Sequence, residues 1–232
     1  MKNRSTMKIK PIKLFLISLT LLVTVSPVFA FKLKLGDLLF HDLNCGQLCN
    51  AITAVTQGYD HTDISHVAIV VRTGRQSEVI EAIGKTVHAT PLNKFLNRSL
   101  DKQGRPRVMV GRLTKPYQFL IPQVINYVKA WVGDPYNYSF TPNNHYQSFY
   151  CSQLIYAAFK LANHNHAIFL RDKMNFQDPK TGKYLPSWQH YFTSIHQSIP
   201  QGEWGTNPGA LSRMSNIKIV YFYGKLRGAK HA

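Results

Sequence analysis

The feature that most restricts the fold is a change of hydrophobic period halfway along the chain. Between residues 35 and 113 the apolar residues come in short runs: LGDLLFH (35–41), HVAIVV (66–71), EVIEAI (78–83), TVHAT (86–90) and VMVGRL (108–113). Runs of this length, rich in Val and Ile, read as strands, and Gly84-Lys85 reads as the turn between two of them. Further on the spacing becomes helical. Leu120 to Val132 is amphipathic and stops at Gly133-Asp134-Pro135, and Phe149 to Leu161 repeats Cys151, Leu154, Ile155, Ala158 and Phe159. An earlier helix is expected over Gly46 to Gln57, ended by Gly58, and a last strand over Ile217 to Tyr223. Strands first, helices next and one returning strand specify an α+β domain. Its sheet is expected to be mainly antiparallel, with the helices packed on one face.

Residues 163–208 fit neither period. They are polar, aromatic and punctuated by Pro and Gly, and are read as an irregular arm or lid, with a helix around Trp188 to Ile195. The aromatics there, among them Phe169, Phe176, Trp188, Tyr191, Phe192 and Trp204, would line an apolar groove or belong to the core. The remainder, 31–232, is read as a single domain.

The first thirty residues are of another kind. Lys2, Arg4, Lys8, Lys10 and Lys13 precede an apolar run from Leu14 to Val25, and small residues follow at Val28 and Ala30. That pattern matches a secretory signal peptide, with cleavage expected near Ala30, and the run is short for a membrane span of about 20 apolar residues. An uncleaved anchor is the alternative. The expected address is periplasmic or secreted. The whole chain carries a net charge of +17, and losing the five basic residues of the leader leaves +12. An exported protein of that charge is expected to meet an anionic envelope polymer or a membrane surface rather than nucleic acid. The densest basic stretch, Arg98 to Arg112, is read as a loop leading into a strand.

The three cysteines, Cys45, Cys49 and Cys151, all follow the leader. An odd number in an oxidising compartment leaves at least one thiol free or bonded to another chain. Cys45 and Cys49 lie four apart, on one face of a helix, where a disulfide would close only a small loop. Metal binding by that pair is disfavoured because no close His or further Cys completes a site.

Cys151 falls in the first turn of its helix if Ser148 is the N-cap. There the unpaired amides and the helix dipole favour a thiolate and hold an oxyanion. The same residue reads equally well as a small core side chain on an apolar helix face. A nucleophilic thiol needs a base, and the base needs an orienting group. Among ten histidines, His66 is the one that opens a buried strand, where packing explains it poorly; His88 and His145 are weaker candidates. Glu81 interrupts an apolar strand, which is costly unless an imidazolium pairs it, or unless the strand is an edge with Glu81 facing water.

The segments LGDLLF, SHVAIVV, VIEAIGKTVHATPLNKFL, VGDPYNYSF and YCSQLIYAAF, in that order, resemble the NlpC/P60 superfamily of papain-like hydrolases. More narrowly they are similar to its circularly permuted YiiX/YebB-like branch, in which the His strand precedes the Cys helix. The resemblance implies a permuted papain-like fold, with Cys151 as nucleophile, His66 as base and Glu81 as orienting group. Tyr138, in the Tyr136-Asn137-Tyr138 segment, and Ser152 become substrate-binding candidates. Gln153 stands where family members often carry Glu. No cofactor and no metal are expected for this chemistry. The expected activity is cleavage of an amide in a cell-wall peptide through a Cys thioester. The alternatives are a lipid-directed thioesterase or acyltransferase using the same site, or a binding module without catalysis.

Overall fold

The computed structural model describes residues 31–141 and 145–230. The leader read over residues 1–30 lies outside the described residues.

The strands begin where the sequence places them. β1 (Leu38–His41) is flanked by β2 (His66–Arg72) and β5 (Val108–Leu113), and β2 continues into β3 (Glu78–Ile83) and β4 (Thr86–Pro91). The late strand β8 (Ile217–Phe222) returns to pair with β5. The sheet order is β4-β3-β2-β1-β5-β8, and every neighbouring pair is antiparallel. Ile83 pairs with Thr86 across Gly84-Lys85, and Gly84 takes φ +65°, a left-handed conformation that other residues adopt only with strain.

The alternation of strand side chains sorts two sets of residues. Val67, Ile69 and Val71 of β2, with Ile80 and Ala82 of β3, join the main core. The other row, His66, Ala68 and Val70 of β2 and Val79 and Glu81 of β3, is buried as well. Burial on both faces explains why these runs read as nearly continuous apolar sequence. The short helix α2 (Leu92–Leu96) follows β4 and sends Phe95 into the interior.

Two longer helices cover the main core. α3 (Ile121–Ala130) packs on α4 (Cys151–Ala162), and α4 lies against β2 and β3 through Leu154, Ile155, Ala158 and Phe159. Burial of Leu154, Ile155 and Phe159 contributes ~1.5–3 kcal/mol each.

A second, aromatic cluster holds the rest. α1 (Gln47–Val55) packs against α5 (Pro186–Ser194), around Phe140, Tyr150, Phe176, Trp188 and Phe192. The arm over 163–208 is therefore more ordered than its composition indicates. Besides α5 it contains a ribbon of β6 (Asp172–Lys173) and β7 (Trp204–Gly205), and the short α6 (Pro208–Ser212) begins at its end. Pro186 occupies the first turn of α5, where proline is tolerated, and the four-residue spacing of Trp188 and Phe192 buries both. Phe169 belongs to the main core, edge-on to Phe159 at 5.2 Å, whereas Trp204 is half-exposed. Among the described residues, no helix is long and apolar enough to cross a membrane.

Candidate active site

Cys151 is the first residue of α4. The sequence places the start of that helix at Ser148, but Tyr150 holds the cap position, with extended backbone angles. The Tyr150 N–H donates to Gln153 Oε1 at 3.3 Å, and the Tyr150 hydroxyl accepts from the Thr206 N–H at 3.0 Å. Gln153 Oε1 also accepts from Asn137 Nδ2 at 3.1 Å, so this residue ties the preceding loop to the helix start. An amide oxygen serves both N–H groups without adding a buried charge. The thiol thus sits where the first backbone amides of the helix lack intrahelical partners and the dipole favours an anion.

His66 opens β2, opposite His41 of β1. Its Nε2 lies 2.6 Å from Glu81 Oε2, which leaves Nδ1 as the nitrogen available to the Cys151 thiol, and both residues line the same cleft. Burial alone would pull the imidazolium down. The bonds and charges of Cys151 and Glu81 outweigh it and raise the His66 pKa to about 9.

Glu81 is fully buried, which excludes the edge-strand reading with its carboxylate in water. Its Oε2 accepts from His66 Nε2 and from Arg98, and its Oε1 accepts from Arg98 and from Thr90 Oγ1, all at 2.6 Å. His88, paired with Glu81 across β3 and β4, places Nε2 4.0 Å from Oε1. Burial pushes this carboxyl up, but the hydrogen bonds and charges of His66 and then Arg98 hold it well below the usual carboxylate range.

Phe95 forms the floor of the array. Its ring centroid lies 6.1 Å from that of His66 and 4.9 Å from that of His41, and the Arg98 guanidinium lies 5.6 Å over it. His41 is buried with neither ring nitrogen hydrogen-bonded, and burial, then His66 and Arg98, lower its pKa to about 3. It is a neutral spectator beside the charged imidazole.

The thiol and His66 open onto a cleft of about 480 Å³. One wall is α1, through Leu48, Ile52 and Val55; the facing side includes Tyr136, Phe140, Trp188 and Tyr191. Cys45 and Cys49 form a disulfide that is part of the α1 wall, with Cys45 exposed and Cys49 buried, and Cys151 is the free thiol.

The two substrate-binding candidates fare differently. Tyr138 lies at the cleft rim, where its hydroxyl donates to the Gly84 carbonyl and its own carbonyl accepts from the Tyr191 hydroxyl, both at 2.8 Å. Ser152 has its side chain fully buried, and its hydroxyl accepts from Thr206 Oγ1 at 3.1 Å. Both Ser152 and Thr206 are among the residues that line the cleft.

Four residues around the site carry no signal of their own in the sequence. Arg98, Thr90 and Phe95 reach Glu81 or His66 only through the fold. Tyr136 lines the cleft, and burial followed by the charge of Cys151 pushes its pKa well above the usual tyrosine value. Its place in the Tyr136-Asn137-Tyr138 segment was the available hint.

A family model described as permuted papain-like amidase enzyme, YaeF/YiiX, C92 family, matches residues 32–221. The chain is similar to a protein of Escherichia coli strain K12 named uncharacterized protein YiiX. The two are 31% identical over 147 residues, which is 63% of this chain and 67% of that one. It also resembles the crystal structure of metalloprotein yiiX from Escherichia coli O157:H7. There the TM-score is 0.65 at 22% identity, over 83% of this chain and 98% of the other.

Proposed function

This chain belongs to the permuted papain-like amidase family, and from that premise we propose that it hydrolyses an amide bond through a thioester on Cys151. One observation carries the reading. A thiol at the first position of a helix lines the same cleft as an imidazole whose Nε2 is locked 2.6 Å from a buried carboxylate. That arrangement supports the reading of Cys151 as nucleophile, His66 as base and Glu81 as orienting group.

The Cys151 thiolate attacks the amide carbon, and a C–S bond forms as the carbonyl oxygen takes the negative charge. The free amides at the start of α4 and the Tyr136 hydroxyl are the donors available to that oxygen. His66 Nδ1 gives its proton to the leaving nitrogen, and the C–N bond breaks. Water then attacks the thioester while His66 takes a proton from it; release of the carboxylic acid restores the thiolate and imidazolium.

The substrate expected from the signal-like leader is a cell-wall peptide in an envelope compartment. A second reading is favoured by the apolar lining of the cleft, where Leu48, Ile52 and Val55 suit a hydrocarbon chain on the acyl side of an amide or ester. The positive charge that remains after the leader supports attraction to an anionic polymer or membrane surface.

The E. coli O157:H7 yiiX structure is that of a metalloprotein. Among the described residues no group of three or more His, Cys, Asp or Glu is placed to hold a metal ion, and both Glu81 oxygens are filled by protein donors. That donor set does not fit a resident metal.

The deciding experiment incubates the protein with wall-derived peptides and with N-acyl amides, and traps the intermediate by acid quench. A mass adduct on Cys151 that is absent from C151A supports the mechanism; turnover by C151A equal to wild type sinks it. Polymer binding without any turnover, unaffected by C151A, would favour a binding module.

A further inference from the structure

Glu81 has more partners than orienting one imidazole requires. A carboxylate offers about four acceptor sites, and here all are taken: His66 and Arg98 on Oε2, Arg98 and Thr90 on Oε1. The guanidinium meets both oxygens in a two-pronged fork, the geometry in which arginine binds carboxylates most strongly. Arg98 is itself steered, since it lies over the Phe95 ring that also underlies His66. It follows α2 directly, so the helix that supplies the floor also delivers the cation.

The charges explain why a second cation belongs there. In the reactive form the buried groups are the Cys151 thiolate, the His66 imidazolium and the Glu81 carboxylate, together one negative charge in excess. An uncompensated buried charge is costly, and the field of a neutral array is confined. Arg98 brings the sum to zero. The other titratable groups facing Glu81 do not replace it: His41 of β1 is buried and held neutral, and His88 of β4 stands 4.0 Å away and half-exposed.

We propose that Arg98 is a positioning residue of the active site: by clamping both oxygens of Glu81 and neutralising its buried charge, it keeps that carboxylate available to His66 and lets the thiolate form beside the imidazolium. The proposal rests on Cys151 and His66 being the reacting pair. Loss of the guanidinium takes a cation out of a buried array, so the thiolate becomes harder to hold, whether Glu81 or His66 takes up the extra proton.

The test is the pH dependence of iodoacetamide alkylation of Cys151 in the full chain, which needs no substrate, with C151A as the blank. In Arg98→Met the acid limb of the profile is expected about one pH unit or more above wild type, a roughly tenfold loss of rate on that limb. Arg98→Lys keeps the charge without the fork and should fall between the two. An Arg98→Met profile that superimposes on wild type, with only a lower melting temperature, overturns the proposal and leaves Arg98 a structural ion pair. Should Arg98→Met fail to fold, Arg98→Lys decides: an acid limb displaced upward supports the clamp, and a wild-type limb overturns it. Labelling that shifts as expected in a protein that turns over no amide would count against the amidase reading and not against Arg98. A wild-type Cys151 that does not label at all would bring down both.

Discussion

His66 Nε2 lies 2.6 Å from Glu81 Oε2, between the first residue of one strand and the middle of its neighbour, with both side chains buried. The contact fixes which imidazole nitrogen faces the thiol, so its loss should be felt in the chemistry and in the fold together. Glu81→Ala leaves Arg98 and the imidazolium without their acceptor. The expected cost is ~3–5 kcal/mol of stability and roughly 10²–10⁴-fold in kcat, read by urea unfolding and by initial rates. A stable, fully active Glu81→Ala protein would contradict the arrangement.

The raised pKa of His66 sets a pH window. An ordinary histidine titrates near 6.5 and this one near about 9, so the folded state binds the proton more tightly than the unfolded chain. The resulting stability is complete below the lower value and disappears as pH rises through the higher one. The melting-temperature gap between wild type and His66→Gln should be widest in mildly acidic buffer and shrink as pH rises through about 9. Activity should show its basic limb in the same region, and Glu81→Gln should move that limb to lower pH, because the imidazolium loses its anion.

Replacing the nucleophile separates chemistry from architecture. Cys151→Ala should reduce hydrolysis to background while costing only about 1 kcal/mol of stability, since a small buried sulfur leaves a small void. Differential scanning calorimetry beside the activity assay gives both numbers.

Tyr136 supplies a subtler test. If its hydroxyl meets the developing oxyanion, Tyr136→Phe should lower kcat by roughly 10²-fold with little change in KM. A rise in KM at constant kcat would instead make it a binding contact.

The Cys45–Cys49 disulfide closes a loop of sequence separation 4, so removing it should cost only ~2 kcal/mol on loop entropy. It forms part of the wall beside the thiol, however, and the double Ser variant should bind apolar acyl amides more weakly. A KM series over chain length in the two proteins measures this.

The parts of the site that were legible in the sequence each break a local rule. Glu81 interrupts an apolar run, His66 heads one, and Cys151 stands at the start of a helical pattern. What supports them breaks none. Arg98 sits in a basic stretch that reads as a loop leading into a strand, yet the structure pairs Arg98 with Glu81, Arg105 with Asp101, Arg107 with Asp42 and Arg112 with Asp37. Asp101 is a local partner four residues from Arg105, but Glu81, Asp42 and Asp37 lie far along the chain, 17 residues for Arg98 and 75 for Arg112, and only the fold brings those pairs together. The helix start was misplaced for a similar reason: Ser148 suits a cap, but Thr206 and Gln153, from a distant loop and from the helix itself, stabilise Tyr150 there instead. Order in the segment after residue 163 is hidden because its aromatics, which pack on one another, complete their cluster only with α1, Phe140 and Tyr150 from elsewhere in the chain.

The bond from the Tyr138 hydroxyl to the Gly84 carbonyl spans the cleft rim. It joins the loop that leads to the nucleophile with the hairpin that carries Glu81. Such a strut cannot act as a door: prising it apart would also alter the spacing between sulfur and imidazole.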